Sequence, residues 1–237
     1  DSVASRGLGD VYKRQDPEID LSSQKFTLDT PGWILPLDSQ DSGRYAVPKN
    51  TFMPAAYERF IALTPDRPNA YVERAREYQN LELYDLALQE YNRAIRRNEQ
   101  YSTAYNDRGT LLQFLEENQM ALEDYNKAIE IDPKYAEAYN NRATIYQTLG
   151  ESQLALEDYS KAIKLNSYWD AYANRAGLYY RLQKYDLSKK DLDDMVRLNP
   201  TIANIFYKRG MVNSRLGLVE ESSSDLGEAC RLDREYC

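Results

Sequence analysis

The chain repeats itself every 34 residues. The segments AYVERAREYQNLELYDLALQEYNRAI, AYNDRGTLLQFLEENQMALEDYNKAI and AYNNRATIYQTLGESQLALEDYSKAI begin at Ala70, Ala104 and Ala138. A fourth copy begins at Ala171, one residue early, and a fifth at Ile205, back in step. Self-similarity at such a period marks an array of small units, each too short to bury its own apolar face. Within a unit, Tyr139, Ala143 and Tyr146 fall at i, i+4 and i+7, as do Ala155, Tyr159 and Ala162. That spacing predicts two amphipathic helices of about 14 residues per unit. Small residues on both stripes let the two backbones approach closely, and tyrosines fill the space around them. The packing accounts for 21 Tyr against 5 Phe.

The punctuation agrees with this reading. Leu81, Leu115, Leu149, Leu182 and Leu216 close each first helix, and Gly150 and Gly217 follow two of them as C-terminal caps. Thr64, Asn98, Asp132, Asn166 and Asn199 stand where the next unit begins, three of them directly before proline, and read as helix-start caps. Every first helix carries an arginine three residues after its leading aromatic: Arg74, Arg108, Arg142, Arg175 and Arg209. Every second helix carries an acid at a matching height: Glu90, Asp124, Asp158, Asp191 and Asp225. Antiparallel folding about each turn pairs them, within a hairpin or with its neighbour.

The period and pattern resemble the tetratricopeptide repeat family over most of the chain, from about Pro54 to Tyr236. The family's first aromatic is matched by Tyr71, Tyr105, Tyr139, Tyr172 and Phe206, and its small residue four later by Ala75, Gly109, Ala143, Ala176 and Gly210. Its next aromatic is Tyr78, Tyr146 and Tyr179, with Leu112 and Asn213 departing. The resemblance implies an all-α fold, a right-handed superhelical solenoid of antiparallel helix hairpins. Its units are 68–101, 102–135, 136–168, 169–202 and 203–236, preceded by a half-repeat helix at 54–65.

In the family the first helices line a concave groove, so their polar faces are the expected place for function. Asn106 and Asp107, Asn140 and Asn141, Asn174, Tyr180 and Arg181, then Tyr207, Lys208 and Arg215 are the candidate peptide-binding residues. Asn141 and Asn174 occupy equivalent positions, and an amide there offers a donor and an acceptor to an extended backbone. Tyr180, Arg181, Tyr207, Lys208 and Arg215 gather cations and aromatics that suit an acidic peptide. A clamp of Lys, Asn and Arg for acidic C-terminal tails, found in co-chaperone members, is not reproduced, because Lys208 alone matches it.

Composition excludes much else. The net charge of -8 with no basic block disfavours nucleic acid. Histidine is absent, which removes the commonest general base and zinc ligand. There is no glycine-rich phosphate loop or paired nucleophile and base, so no catalytic residue, metal or cofactor is expected. No transmembrane run is present. If the last segment stays helical, Cys230 and Cys237 lie roughly 10 Å apart, beyond disulfide reach. The expected function is a non-catalytic protein interaction scaffold; the alternative is a docking or regulatory arm of a larger enzyme or signalling protein.

The N-terminal part differs. Residues 16–49 are rich in Pro, Asp and Ser and read as a loosely ordered segment, with one apolar cluster, PGWILPL, around Trp33. Ser5 to Gln15, SRGLGDVYKRQ, matches one translation frame of a sequencing-library adaptor joined to a transposon end. Residues 1–15 are therefore read as an artefact outside the fold. With that reading, localisation is open between cytoplasmic and exported.

Overall fold

A computed structural model describes residues 67–166 and 169–237. The adaptor-like stretch, the loosely ordered segment and the half-repeat lie outside the described residues. Ten α-helices follow in order among these: α1 (Pro68–Asn80), α2 (Tyr84–Arg97), α3 (Ser102–Phe114), α4 (Asn118–Ile131) and α5 (Ala136–Thr148). Then come α6 (Ser152–Asn166), α7 (Trp169–Arg181), α8 (Tyr185–Leu198), α9 (Ala203–Arg215) and α10 (Val219–Leu232), with a 3-10 turn at Arg234–Tyr236. Consecutive helices pack as antiparallel hairpins, and each second helix packs on the next first helix, giving an all-α repeat solenoid. The first helices also touch one another, α1 with α3, α3 with α5 and α5 with α7. No comparable contact joins successive second helices, or α7 to α9, among the described residues, so α1, α3, α5 and α7 form one continuous face.

The helices form where the periodicity predicts, and their small residues sit at the crossing points. Ala87, Ala121, Ala143, Ala155 and Ala162 are completely buried. At Gly109 the approach is closest: a Cβ there would stand 2.9 Å from Tyr125 Cε1. The buried tyrosines of the second helices use both ends of their side chains. The hydroxyls of Tyr91, Tyr125 and Tyr159 donate to Gln79, Gln113 and Gln147 on the partner first helix, at 3.2, 2.9 and 3.4 Å. Where the first helix of the fourth hairpin has Tyr180 in place of glutamine, the buried tyrosine is replaced by Leu192. Tyrosine is thus chosen over phenylalanine because its polar end has a partner.

Each first helix ends in the same way. Leu83 N–H reaches back to Tyr78 O, as Glu117 N–H does to Leu112 O, across a residue in the left-handed region. That residue is Gly150 (φ 82°) or Gly217 (φ 75°) in two hairpins, but Glu82, Glu116 or Gln183 in the others, with φ near 60°. Glycine was legible at two of these turns; the other three hold side chains in a strained conformation.

Two expectations are corrected. Asn98, Asp132 and Asn199 do not start helices. They end α2, α4 and α8, and their side chains accept from the N–H two residues on, at Gln100, Lys134 and Thr201. A short polar side chain that bonds its own backbone in this way makes a turn, and the next helix begins four residues later without a side-chain cap. Cys230 and Cys237 are also joined, as a disulfide with Cα atoms 4.6 Å apart. Helix α10 stops at Leu232, Asp233 is extended, and its side chain turns the chain by accepting from Glu235 N–H. That reversal brings Cys237 back beside Cys230.

Candidate functional site: the first-helix face

Behind the face, the arginine–acid ladder is complete. Arg142 donates from Nε and Nη2 to the two oxygens of Asp158, at 2.7 and 2.8 Å. Arg108 with Asp124, Arg175 with Asp191 and Arg209 with Asp225 repeat this fork, and Arg74 meets Glu90. The remaining Nη1 reaches the second helix of the preceding hairpin: Arg142 to Asn126, Arg175 to Ser160 and Arg209 to Asp193. Each guanidinium also lies over its leading aromatic, 5.4 to 6.0 Å from the ring centre. Each arginine therefore ties its own hairpin together, and Arg108, Arg142, Arg175 and Arg209 also link it to the hairpin before.

The candidate asparagines are engaged with one another. Asn106, fully buried, donates to Asp107 and to Glu137, both at 3.3 Å. Asn141 donates to Asn106 Oδ1 at 3.1 Å, Asn140 to Asn141 Oδ1 at 3.3 Å, and Asn174 to Asn140 Oδ1 at 3.0 Å. Arg76 extends the chain of bonds by donating to Asp107 (3.0 Å) and Glu73 (2.8 Å). A polar zipper therefore runs from Glu73 on α1 to Asn174 on α7, and Gln113 to Thr144 at 2.9 Å adds a parallel rung. Burial pushes the Asp107 carboxyl above its ordinary value although Arg76 pulls it down. Burial likewise raises Glu137, against the hydrogen bond from Asn106.

The other candidates lie toward the C-terminal hairpins and are open. Arg181, Tyr207, Lys208 and Arg215 are exposed, and Tyr180 is half-buried. Arg215 Nε donates to Tyr180 Oη at 3.1 Å, which holds the guanidinium of the fifth hairpin against the fourth. The Tyr207 ring packs 5.1 Å from Tyr236, whose hydroxyl accepts from Asn204 at 3.0 Å. The structure thus brings together Asn106, Asp107, Asn140, Asn141 and Asn174 in one network and leaves Lys208 and Arg181 outside it. Sequence reading passed over Tyr101, Tyr135 and Tyr236, which border the face just before the first-helix positions. Their recurrence at a 34-residue spacing from Tyr101 to Tyr135 was the available signal. Burial raises both Tyr101 and Tyr135.

Comparison with known proteins agrees with this geometry. A family described as "TPR repeat" matches residues 115–150, and two described as "Tetratricopeptide repeat" match 136–168, and 68–101 with 170–202. Nothing among curated proteins matches the chain. Among solved structures, the MamA protein aligns with a TM-score of 0.62 and 18% identity, over 73% of this chain and 94% of that one. YrrB, described as a TPR protein with an unusual peptide-binding site, aligns at 0.58 and 19%, over 76% and 93%. PilF of Pseudomonas aeruginosa aligns at 0.66 and 16%, over 76% and 82%. At these identities the likeness is one of fold. With five hairpins in register and family matches across four of them, the chain belongs to the tetratricopeptide repeat family.

Proposed function

We propose that the protein is a non-catalytic scaffold that grips a peptide or protein segment along the face formed by its first helices. The tetratricopeptide fold is in general a protein interaction scaffold, and YrrB, which shares the fold, is described by its peptide-binding site. The observation that supports the reading is the polar face itself: the first four first helices touch in succession, and exposed polar side chains continue onto the fifth at Tyr207, Lys208 and Arg215. Affinity there comes from shape and a few anchors, the candidates being the ten residues placed above.

Photocrosslinking tests this. A photoreactive side chain at Gly177, Tyr207 or Met211, all exposed on first helices, is expected to capture a protein partner. The same group at Glu157 or Lys190, exposed on second helices, is expected not to. Capture from the second-helix sites alone would remove the proposal.

A further inference from the structure

Resting on that reading, we infer that the docking segment is the step between the fourth and fifth hairpins, and that its ligand is an extended peptide bearing carboxylates. The zipper explains why the site is there. At each earlier step a side chain of one first helix bonds back to the previous one: Arg76 with Asp107, Asn141 with Asn106, Asn174 with Asn140. At the fourth-to-fifth step the residue equivalent to Asn141 and Asn174 is Lys208, and the residue equivalent to Asn106 and Asn140 is Ala173, which accepts nothing. Thr110 and Thr144, which take zipper bonds, are replaced by Gly177. A Cβ added at Gly177 would meet nothing within 4 Å. Contact between α7 and α9 is also slighter than at the three preceding steps. The floor is open where the amide zipper stops, and Arg215 to Tyr180 is the bond that still crosses this step.

The sign of charge changes at the same place. From α1 to α7 the face presents Glu73, Asp107, Glu137 and Asp170, with Arg76 already held by two acids. Among the described residues Lys208 and Arg181 make no ion pair, and Arg215 bonds a neutral phenol, Tyr180, rather than an acid. In a chain of net charge -8, a cationic surface patch that also carries Tyr180 and Tyr207 selects acidic and aromatic groups. Lys208 and Arg215 lie two helical turns apart on α9, about 10 Å. In an extended strand, acids three residues apart span about that distance. An acidic neighbour such as Asp170 repels further carboxylates and sets which way the peptide lies.

The test is selection from a random peptide library displayed on phage, panned against the full chain. The expected pool is enriched in Glu or Asp with an aromatic residue. Synthetic members are expected to lose about tenfold or more in affinity against the double variant Lys208→Glu, Arg215→Glu. They are expected to be unaffected by Lys161→Glu with Lys190→Glu, which changes net charge equally elsewhere. Gly177→Thr, which refills the floor, is expected to weaken them too, and all binding is expected to fall with added salt. If the selected peptides crosslink to Met211 but carry no acidic enrichment or ignore the charge reversal, this inference is overturned and the broader one stands. A pool that never enriches, or peptides that crosslink only to second-helix sites, overturns both.

Discussion

Asp124→Leu and Arg108→Leu remove opposite ends of one buried ion pair, and the two should differ in how their cost depends on pH. The side chains are 4% and 8% exposed, and two short bonds join them, Nε to Oδ2 at 2.8 Å and Nη2 to Oδ1 at 2.6 Å. Removing Asp124 strands a guanidinium that cannot lose its proton; its remaining partners include Asn92 and the Tyr105 ring. Stranding a buried charge costs about 3–5 kcal/mol. Removing Arg108 strands a carboxylate instead, and a carboxylate can take up a proton. Burial already holds Asp124 above its ordinary value of 3.8, against the hydrogen bonds and charge of Arg108 that pull it down. Without the arginine it rises further. Neutralising it costs at most about 4 kcal/mol at pH 7 and about 1.6 kcal/mol at pH 5, at 1.36 per unit from the ordinary value. The folded variant then binds a proton that the unfolded chain does not bind until pH approaches 3.8, so stability is regained as pH falls. Urea unfolding followed by circular dichroism at both pH values, each against the parent, measures this. The Arg108→Leu deficit should shrink by up to about 2.7 kcal/mol from pH 7 to pH 5, while the Asp124→Leu deficit does not shrink. The double variant should cost less than Asp124→Leu alone. An Arg108→Leu deficit that is flat with pH would show that Asp124 is not stranded in the way described.

The left-handed turns supply a second test. Glu116→Gly relieves a side chain at φ 64° and should raise stability by up to about 1 kcal/mol. Gly150→Ala should lower it by about 1 kcal/mol from backbone strain alone, since its Cβ meets nothing. Thermal melts of the two variants should move in opposite directions. A dithiol reductant should expose two thiols to titration, free the Tyr236 contact with Tyr207, and cost about 2 kcal/mol locally by the loop-closure relation. Cys237→Ser should remove that response while helix content is kept. Ultraviolet titration should show Tyr159, raised by burial to about 12, ionising above the ordinary phenol value of 10. Because the unfolded chain releases that proton first, stability should fall as pH rises above 10 toward 12; an unchanged stability across that range would contradict the burial.

The hairpins were legible because one residue of each type recurs on one stripe, and a 34-residue register multiplies every weak signal. The arginine–acid pairs were legible for the same reason: a partner 16 residues away in a symmetric hairpin is at equal height. The turn residues were misread because Asn and Asp serve both helix starts and turns, and only backbone geometry separates the two uses. The disulfide was missed by extending a helix through Asp233. Yet Asp132 and Asn199 end helices at the corresponding place, so the break was written in the register. The asparagines were read as peptide-contacting residues on the groove face, and not as a network bonded to one another. Whether an amide faces a ligand or its neighbour depends on the separation of adjacent first helices, which no single sequence states.

The two polar systems share the work of joining units, and that division permits an open site. Arg209 links the fifth hairpin to the fourth through Asp193 at 2.9 Å on the second-helix side, and Arg215 reaches Tyr180. The zipper on the first-helix face can therefore lapse at this step without uncoupling the hairpins. Nearest-neighbour contacts set the stability of a solenoid, so a step that kept neither link would fray. Here Asp193 stands where Asn126 and Ser160 stand in earlier hairpins, so an ion pair takes the place of a guanidinium bond to an uncharged acceptor. The stronger link occurs at the step whose floor is vacant. The site inferred above therefore leaves the array's coupling intact: the second-helix side keeps the fourth and fifth hairpins joined while Lys208 stays outside the zipper.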